Sequence, residues 1–254
     1  MPAAYAHRRL GAAAVDALPA GAKKSVLRFR RLYDAGLQGP DIFFCYNPFF
    51  KTRTGALGYS YHRKTGREFF TAAREIADTE AARAYLLGVL CHYSLDALCH
   101  PLVWEIAAGG EIGHSELETE FDRFLLERDG RSPAHAQLPM EALTLTAGEC
   151  ETVARFYPPA SPGAVRRSVK NMMFFSRLLT APGGAKRTVL ETGTRLLGGN
   201  IAGMLMTVGP NPRCAHLDGL LLELYNRAAG RVGAMAEQLL SDGPLDGEFD
   251  AIFG

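Results

Sequence analysis

The chain has 254 residues, 47% hydrophobic, 9% aromatic and 22% charged, the proportions of a globular protein with one large core, and they exclude disorder. Twenty-eight Lys and Arg stand against 27 Asp and Glu, a formal charge of +1, which excludes a nucleic-acid binder held mainly by a basic surface. Fourteen Pro and 27 Gly are too few and too scattered for a fibrous or low-complexity protein.

Ala and Leu dominate the apolar set, apolar residues recur three and four apart, and sustained apolar–polar alternation is scarce. An all-α fold follows, a single multi-helix domain over residues 1–254. Helices are predicted over 4–17, 22–36, 66–77, 79–100, 114–129, 139–156, 162–181, 185–197 and 214–241. At the start, His7, Arg8 and Arg9 come before any apolar stretch, and 11–15 is too short for a signal-peptide core, so a cytoplasmic protein is expected. Arg8, Arg9, Arg28, Arg30 and Arg31 suit either a solvated face or an anionic membrane surface. The piece 37–62, with Gly39-Pro40, Pro48, Gly55 and Gly58, reads as a long ordered loop. Its run from Phe43 to Phe50 carries five aromatic side chains, suited to the core or to a pocket for acyl chains or a quaternary ammonium group.

Asp78 is placed to cap the 79–100 helix, with Glu80 in its first turn and Pro101 closing it. Ser161-Pro162 puts a capping hydroxyl before a proline at the next helix start. The longest uncharged segment, 196–212, is broken by glycines and two prolines and falls short of a bilayer span of roughly 20 apolar residues, so no transmembrane helix is expected. Cys45, Cys91, Cys99, Cys150 and Cys214 are odd in number and irregular in spacing, which argues against a disulfide framework.

The chemistry concentrates in His92-Tyr-Ser-Leu-Asp96-Ala-Leu-Cys-His100, three metal-capable side chains at i, i+4 and i+8 on one helix face. At about 1.5 Å rise per residue, His92 and His100 lie roughly 12 Å apart along the axis, too far to share one zinc with bonds of about 2.0–2.1 Å. Asp96 lies between them with two oxygens, so the spacing asks for a multinuclear site. His114-Ser-Glu-Leu-Glu118 repeats a His and a carboxylate one turn apart at another helix start. Either half alone would suit a surface ion pair. With apolar Val89, Leu95, Leu98 and Leu102 around the first half, buried Asp and His need partners, and metal supplies them.

These residues, with Ala35-Gly-Leu-Gln-Gly-Pro-Asp41-Ile-Phe-Phe and the later His62, resemble the zinc-dependent phospholipase C family, in matching motif order from His7 to Glu118. They are also similar to the catalytic domain of glycosylphosphatidylinositol-specific phospholipase D. The resemblance implies an all-α domain of the phospholipase C and single-strand nuclease type, with up to three Zn2+ ions at the base of a cleft. By motif position, Asp41, His62, His92 and Asp96 would hold one ion. Asp96 would bridge to a second that also takes His7, and His100, His114 and Glu118 would hold the third. Imidazoles and carboxylates suit zinc without Cys.

In the secreted bacterial members the second ion is also bound by an N-terminal Trp; here the only Trp is Trp104, and the Pro2 amine, freed by loss of Met1, is the expected substitute. His135 and His216 are not assigned to the site. The implied activity is metal-assisted hydrolysis of a phospholipid or related phosphodiester, with Asp41 as general base or orienter of the nucleophile. Peripheral membrane contact fits such a substrate, and no nucleic-acid partner is expected. The competing readings are a single-strand nuclease with the same site, and a non-enzymatic member that binds metal or lipid.

Overall fold

A computed structural model describes residues 4–48, 50–133, 143–181, 183–197 and 203–254, with backbone alone over 194–197. The helices are α1 (Ala4–Ala14), α2 (Ala20–Arg28), α3 (Arg30–Gly36), α4 (Gly55–His62), α5 (Gly66–Ile76), α6 (Glu80–Ala108), α7 (His114–Arg128), α8 (Ala147–Arg155), α9 (Pro162–Leu179), α10 (Gly184–Leu197) and α11 (Asp218–Leu240). Short 3-10 turns occupy Val15–Ala17, Gly39–Cys45, Ala215–Leu217 and Gly247–Phe249. Among the described residues there is no strand, only an isolated bridge between Thr65 and Ile252, so the all-α class holds.

The central element is α6, a 29-residue helix whose every residue from Ala84 to Ala97 is buried. A helix apolar on all sides belongs in a core, where neighbours cover each face. Here α1, α2, α3, α7 and α11 surround it. Its length and hydropathy would suffice to cross a membrane, but 83% of that window is buried inside the protein. Beside this group α8 pairs with α9, and α9 and α4 both pack on the turn Gly39–Cys45.

Caps explain several boundaries. The Thr65 hydroxyl accepts from Glu68 N at 3.1 Å while the Glu68 carboxylate accepts from Thr65 N at 2.8 Å, a reciprocal box that starts α5. Thr146 and Glu149 do the same for α8. Ser161 caps α9 with Pro162 in its first turn, as its sequence indicates. All five cysteines are buried, and none is in a disulfide.

Several predicted elements need correction. The span 22–36 is two helices, because the chain turns at Phe29 (φ −110°, ψ 42°), whose carbonyl then accepts from Leu32 and Tyr33 to begin α3. The 37–62 piece is not a loop throughout: it contains the turn Gly39–Cys45 and helix α4, ended by His62. Gly55 and Gly58 misled because Gly58 lies in α4 where the Phe44 ring leaves no room for a Cβ. Thr79, not Asp78, caps α6, its hydroxyl accepting from Ala82 N at 3.1 Å; Asp78 instead pairs with Arg155. Nor does Pro101 end that helix. It sits exposed, and burial of Val103, Leu102 and Ile106 beyond it offsets the one backbone bond a proline removes. For the 139–156 helix, 139–142 lie outside the described residues and 143–146 precede the helix.

Where α3 crosses α6 the two backbones touch. A Cβ on Gly88 would meet Gly36 Cα at 2.9 Å and overlap the Tyr33 carbonyl, and a Cβ on Gly36 would meet Gly88 Cα at 2.9 Å. Backbone cannot step aside as a side chain does. Gly88→Ala should therefore destabilise the fold by about 1–3 kcal/mol in denaturant titration. Gly230→Ala, in open space on the exposed side of α11, should instead stabilise it by about 0.5–1 kcal/mol through helix propensity. A stabilising Gly88→Ala would contradict the crossing.

Candidate metal centre

Five elements send side chains to one place. His7 comes from α1, Asp41 from the turn Gly39–Cys45, His62 from the end of α4, His92, Asp96 and His100 from α6, and His114 and Glu118 from the start of α7. All eight sequence-predicted residues are brought together, in three groups whose potential ligand atoms lie within 4.8 Å of one another. These are His7, His92 and Asp96; Asp41, His62 and His92; and His100, His114 and Glu118.

Asp96 joins the groups. Its Oδ2 is 3.0 Å from His92 Nε2 and 4.0 Å from His62 Nε2, while Oδ1 is 3.1 Å from His7 Nε2 and 3.9 Å from His100 Nε2. The two oxygens thus face different imidazoles. His62 Nε2 is 2.9 Å from Asp41 Oδ1. Glu118 Oε1 sits 3.1 Å from His114 Nε2 and 3.3 Å from His100 Nε2. His92 and His100 fall in separate groups, as the helical rise requires.

Two observations test whether these groups suit a metal. The Nδ1–H of His62 donates to the Gly58 carbonyl at 2.7 Å, which leaves Nε2 as the lone-pair nitrogen facing a carboxylate oxygen. Lone pair against lone pair needs a cation or proton between them. His92 is fully buried, and among the described residues both its ring nitrogens lack a hydrogen-bond partner, the Asp96 contact being out of line. Buried imidazole nitrogens and carboxylate oxygens without thiolates form a donor set that zinc accepts.

Electrostatics agree. For Asp96, burial favours the neutral acid, but His100, His92 and His7 overcome it and hold the carboxyl well below its usual range. Asp41 is likewise lowered, burial being outweighed by His62 and His92. Glu118 falls to about 2 because His100 and His114 outweigh burial. The partners shift the other way: burial alone would lower His7, His62 and His100, yet the carboxylates raise all three, His100 to about 9.

Supporting residues escaped the sequence reading. Gly39 has φ +48°, and a Cβ there would lie 2.8 Å from His92 Nε2, so glycine lets the turn carrying Asp41 press on that ring. The buried Asp122 carboxylate accepts from the Tyr5 and Ala6 amides at 3.1 and 2.8 Å, pinning the first turn of α1 beside His7. Burial raises its pKa to about 7. Trp104, 52% exposed, sets its ring 4.6 Å from that of His114. It lies four residues after His100, a placement visible only once α6 is known to run past Pro101. Met1 to Ala3 and His135 lie outside the described residues, so the Pro2 amine does too; His216 is exposed on the turn Ala215–Leu217, away from the groups.

The folded pKa of His100 near 9, against an ordinary 6.5, carries a sign. Stabilisation from this pairing is complete below about pH 6.5 and fades as pH rises through about 9. Chelator-treated protein should lose thermal stability across that window, while zinc-treated protein should not. Zinc requires neutral imidazoles, so its uptake at pH 7 should release protons into weakly buffered solution, detectable with an indicator dye. Zinc uptake without proton release would contradict the pairing.

No curated protein and no solved structure matches the sequence. The family described as zinc-dependent phospholipase C matches residues 6–156, a span that takes in all eight clustered side chains and runs from α1 to just past α8. A match over more than half the chain, spanning all eight clustered His, Asp and Glu side chains, places this protein in the zinc-dependent phospholipase C family.

Proposed function

We propose that the protein is a zinc-dependent phosphodiesterase that hydrolyses a phospholipid or a related phosphoester. The assembly of three His and carboxylate groups carries this reading, two of them sharing His92 and the third reaching Asp96 through His100 at 3.9 Å. Asp41, His62, His92 and Asp96 would hold one ion, His7 with the other oxygen of Asp96 a second, and His100, His114 and Glu118 a third. Bound zinc supplies positive charge opposite the phosphate oxygens and makes water a stronger acid.

The chain's own part begins with Asp41. Its side chain is 18% exposed, against 5% for Asp96 and 14% for Glu118, so it is the carboxylate most open to an incoming water. The neighbouring imidazoles keep it ionised, ready to take a proton. Water adds to phosphorus, its proton passes to Asp41, and the bond from phosphorus to the alcohol oxygen breaks as that oxygen takes a proton from solvent, to which Asp41 gives up its own. His62, anchored through Gly58, keeps its Nε2 2.9 Å from Asp41 Oδ1, so that the two would reach one ion from fixed directions.

A phospholipid fits the surroundings. Between Asp41 and Glu68 the chain has no acidic residue, and Lys51, Arg53, Arg63 and Lys64 are exposed there beside Phe50 (74% exposed) and Tyr59 (64%). Tyr59 packs 4.7 Å from Phe44, whose ring stacks 5.3 Å from His62. Exposed aromatics with cations beside a hydrolytic centre suit an anionic lipid surface. Of the earlier arginines, Arg9, Arg28, Arg30 and Arg31 instead pair with Asp129, Glu80, Asp34 and Glu149, a solvated face.

Elemental analysis should find three zinc ions per chain, and phosphatidylcholine turnover should vanish with chelator and return with zinc; no metal uptake would refute the reading. Asp41→Asn should lower turnover about 10²–10⁴-fold with zinc content largely kept, whereas proportionate loss of both would leave Asp41 a ligand only. Single-stranded DNA assayed alongside tests the nuclease reading. Cosedimentation should be stronger with phosphatidylglycerol vesicles than with phosphatidylcholine vesicles, weaken in high salt, and drop in a Lys51→Glu, Arg53→Glu double variant. Equal binding to both vesicles would sink the lipid-facing role of 50–64.

A further inference from the structure

The segment from Leu245 to Gly254 lies far beyond residue 156, where the family match ends, and yet it returns to the metal centre. Phe253 N–H donates to the Lys64 carbonyl at 3.1 Å, Gly254 N–H to the His62 carbonyl at 3.1 Å, and Gly66 N–H to the Ala251 carbonyl at 2.9 Å. These bonds seat the segment alongside 62–66, the piece of chain that begins at a ligand candidate. Arg67 ties it down through Asp250, at 2.6 Å, and the Asp246 carbonyl, at 2.9 Å.

Other contacts reach α6. The Tyr93 hydroxyl donates toward the Glu248 and Ala251 carbonyls at 3.0 and 3.1 Å. Arg231 links Glu248, at 2.6 Å, to the Ser94 carbonyl, at 2.8 Å, midway between His92 and Asp96 in the chain. Phe253 is 1% exposed; its ring lies 4.9 Å from Tyr93 and 6.3 Å from His92. Gly254 backs onto His100 so closely that a Cβ there would overlap the imidazole at Nδ1 and Cε1.

A histidine that binds metal is ordinarily oriented by a hydrogen bond at its other nitrogen. His62 has that bond, through Gly58. The Nδ1 atoms of His92 and His100 are buried and have none among the described residues. Their ring planes must be set by packing instead, and the groups packed there include Phe253 and Gly254.

We propose that Phe253 and Gly254 are positioning residues of the metal centre, holding the rings of His92 and His100 by contact and the end of α4 by backbone hydrogen bonds. This rests on the reading that the eight clustered side chains bind zinc. The strap replaces, by shape, the hydrogen-bonded outer partners these two histidines lack. Glycine is required at 254 because the His100 ring occupies the space of a side chain.

The test compares Phe253→Ala, Phe253→Leu, Gly254→Ala and Ile252→Ala, the last on the same strap but 50% exposed. Each full-length variant is titrated with zinc against a competing chelator, and its melting temperature is taken with and without zinc. Phe253→Ala and Gly254→Ala should weaken zinc binding by about 10–100-fold, the range for lost outer partners, and shrink the rise in melting temperature that zinc confers. Phe253→Leu should recover part of the affinity, and Ile252→Ala should match wild type. A purely structural strap would lower both melting temperatures equally and leave zinc affinity unchanged, which would overturn the proposal. Should Gly254→Ala not fold, the Phe253 pair decides alone. Wild-type protein that takes up no zinc would instead overturn the metal reading beneath it.

Discussion

Burying a carboxylate at the middle of a helical bundle is unfavourable unless positive charge meets it, and Asp96, 3% exposed at the centre of α6, is met from four sides. His7, His62, His92 and His100 all lie within 4.0 Å of its oxygens. Removing any one of the contributing elements would leave buried charge or buried imidazole nitrogens without partners. The same demand that makes the centre a candidate metal site therefore constrains how α1, α4 and the turn Gly39–Cys45 sit against α6.

That placement depends on backbone coming close to backbone. Gly36 and Gly88 let α3 lie directly on α6, and Gly39 then allows the following turn to touch the His92 ring. Asp41 follows two residues later, already near His62 and His92. On the other side Asp122 holds the start of α1 by its amides, so His7 enters at a defined height beside Asp96. His7, His62 and His92 are thus each backed by a neighbour outside the cluster, Asp122 at the start of α1, the Gly58 carbonyl and Gly39.

The three groups differ in access. His92 and Asp96 are deeply buried, whereas the His114 side chain is 23% exposed and Trp104 stands beside it at the surface. Asp41 is intermediate. A substrate approaching from solvent would meet the His114 side and the Phe44 and Tyr59 rings before the inner pair. The segment from Leu245 to Gly254 covers the part of the centre formed by His92, His100 and the end of α4.

Much of this was legible in the sequence because helical periodicity and short motif spacings are local. The H-x3-D-x3-H run on α6 and the H-x3-E run on α7 declared their shared faces, and the helical rise set His92 and His100 too far apart to share one ion. Asp41, His62 and His7 were legible only through motif order, since each alone is an ordinary turn or surface residue. Helix α4 and the passage of α6 through Pro101 were missed because glycine and proline signal breaks locally, while packing against Phe44 and the core overrides them. Phe253 and Gly254 left no mark at all. The sequence by itself determined the helical class and the metal-capable faces of α6 and α7, since both follow from neighbours a turn or two apart. Only the tertiary structure decided which groups share an oxygen of Asp96 and what orients His92 and His100, because those contacts join residues distant along the chain, where no repeat or spacing records them.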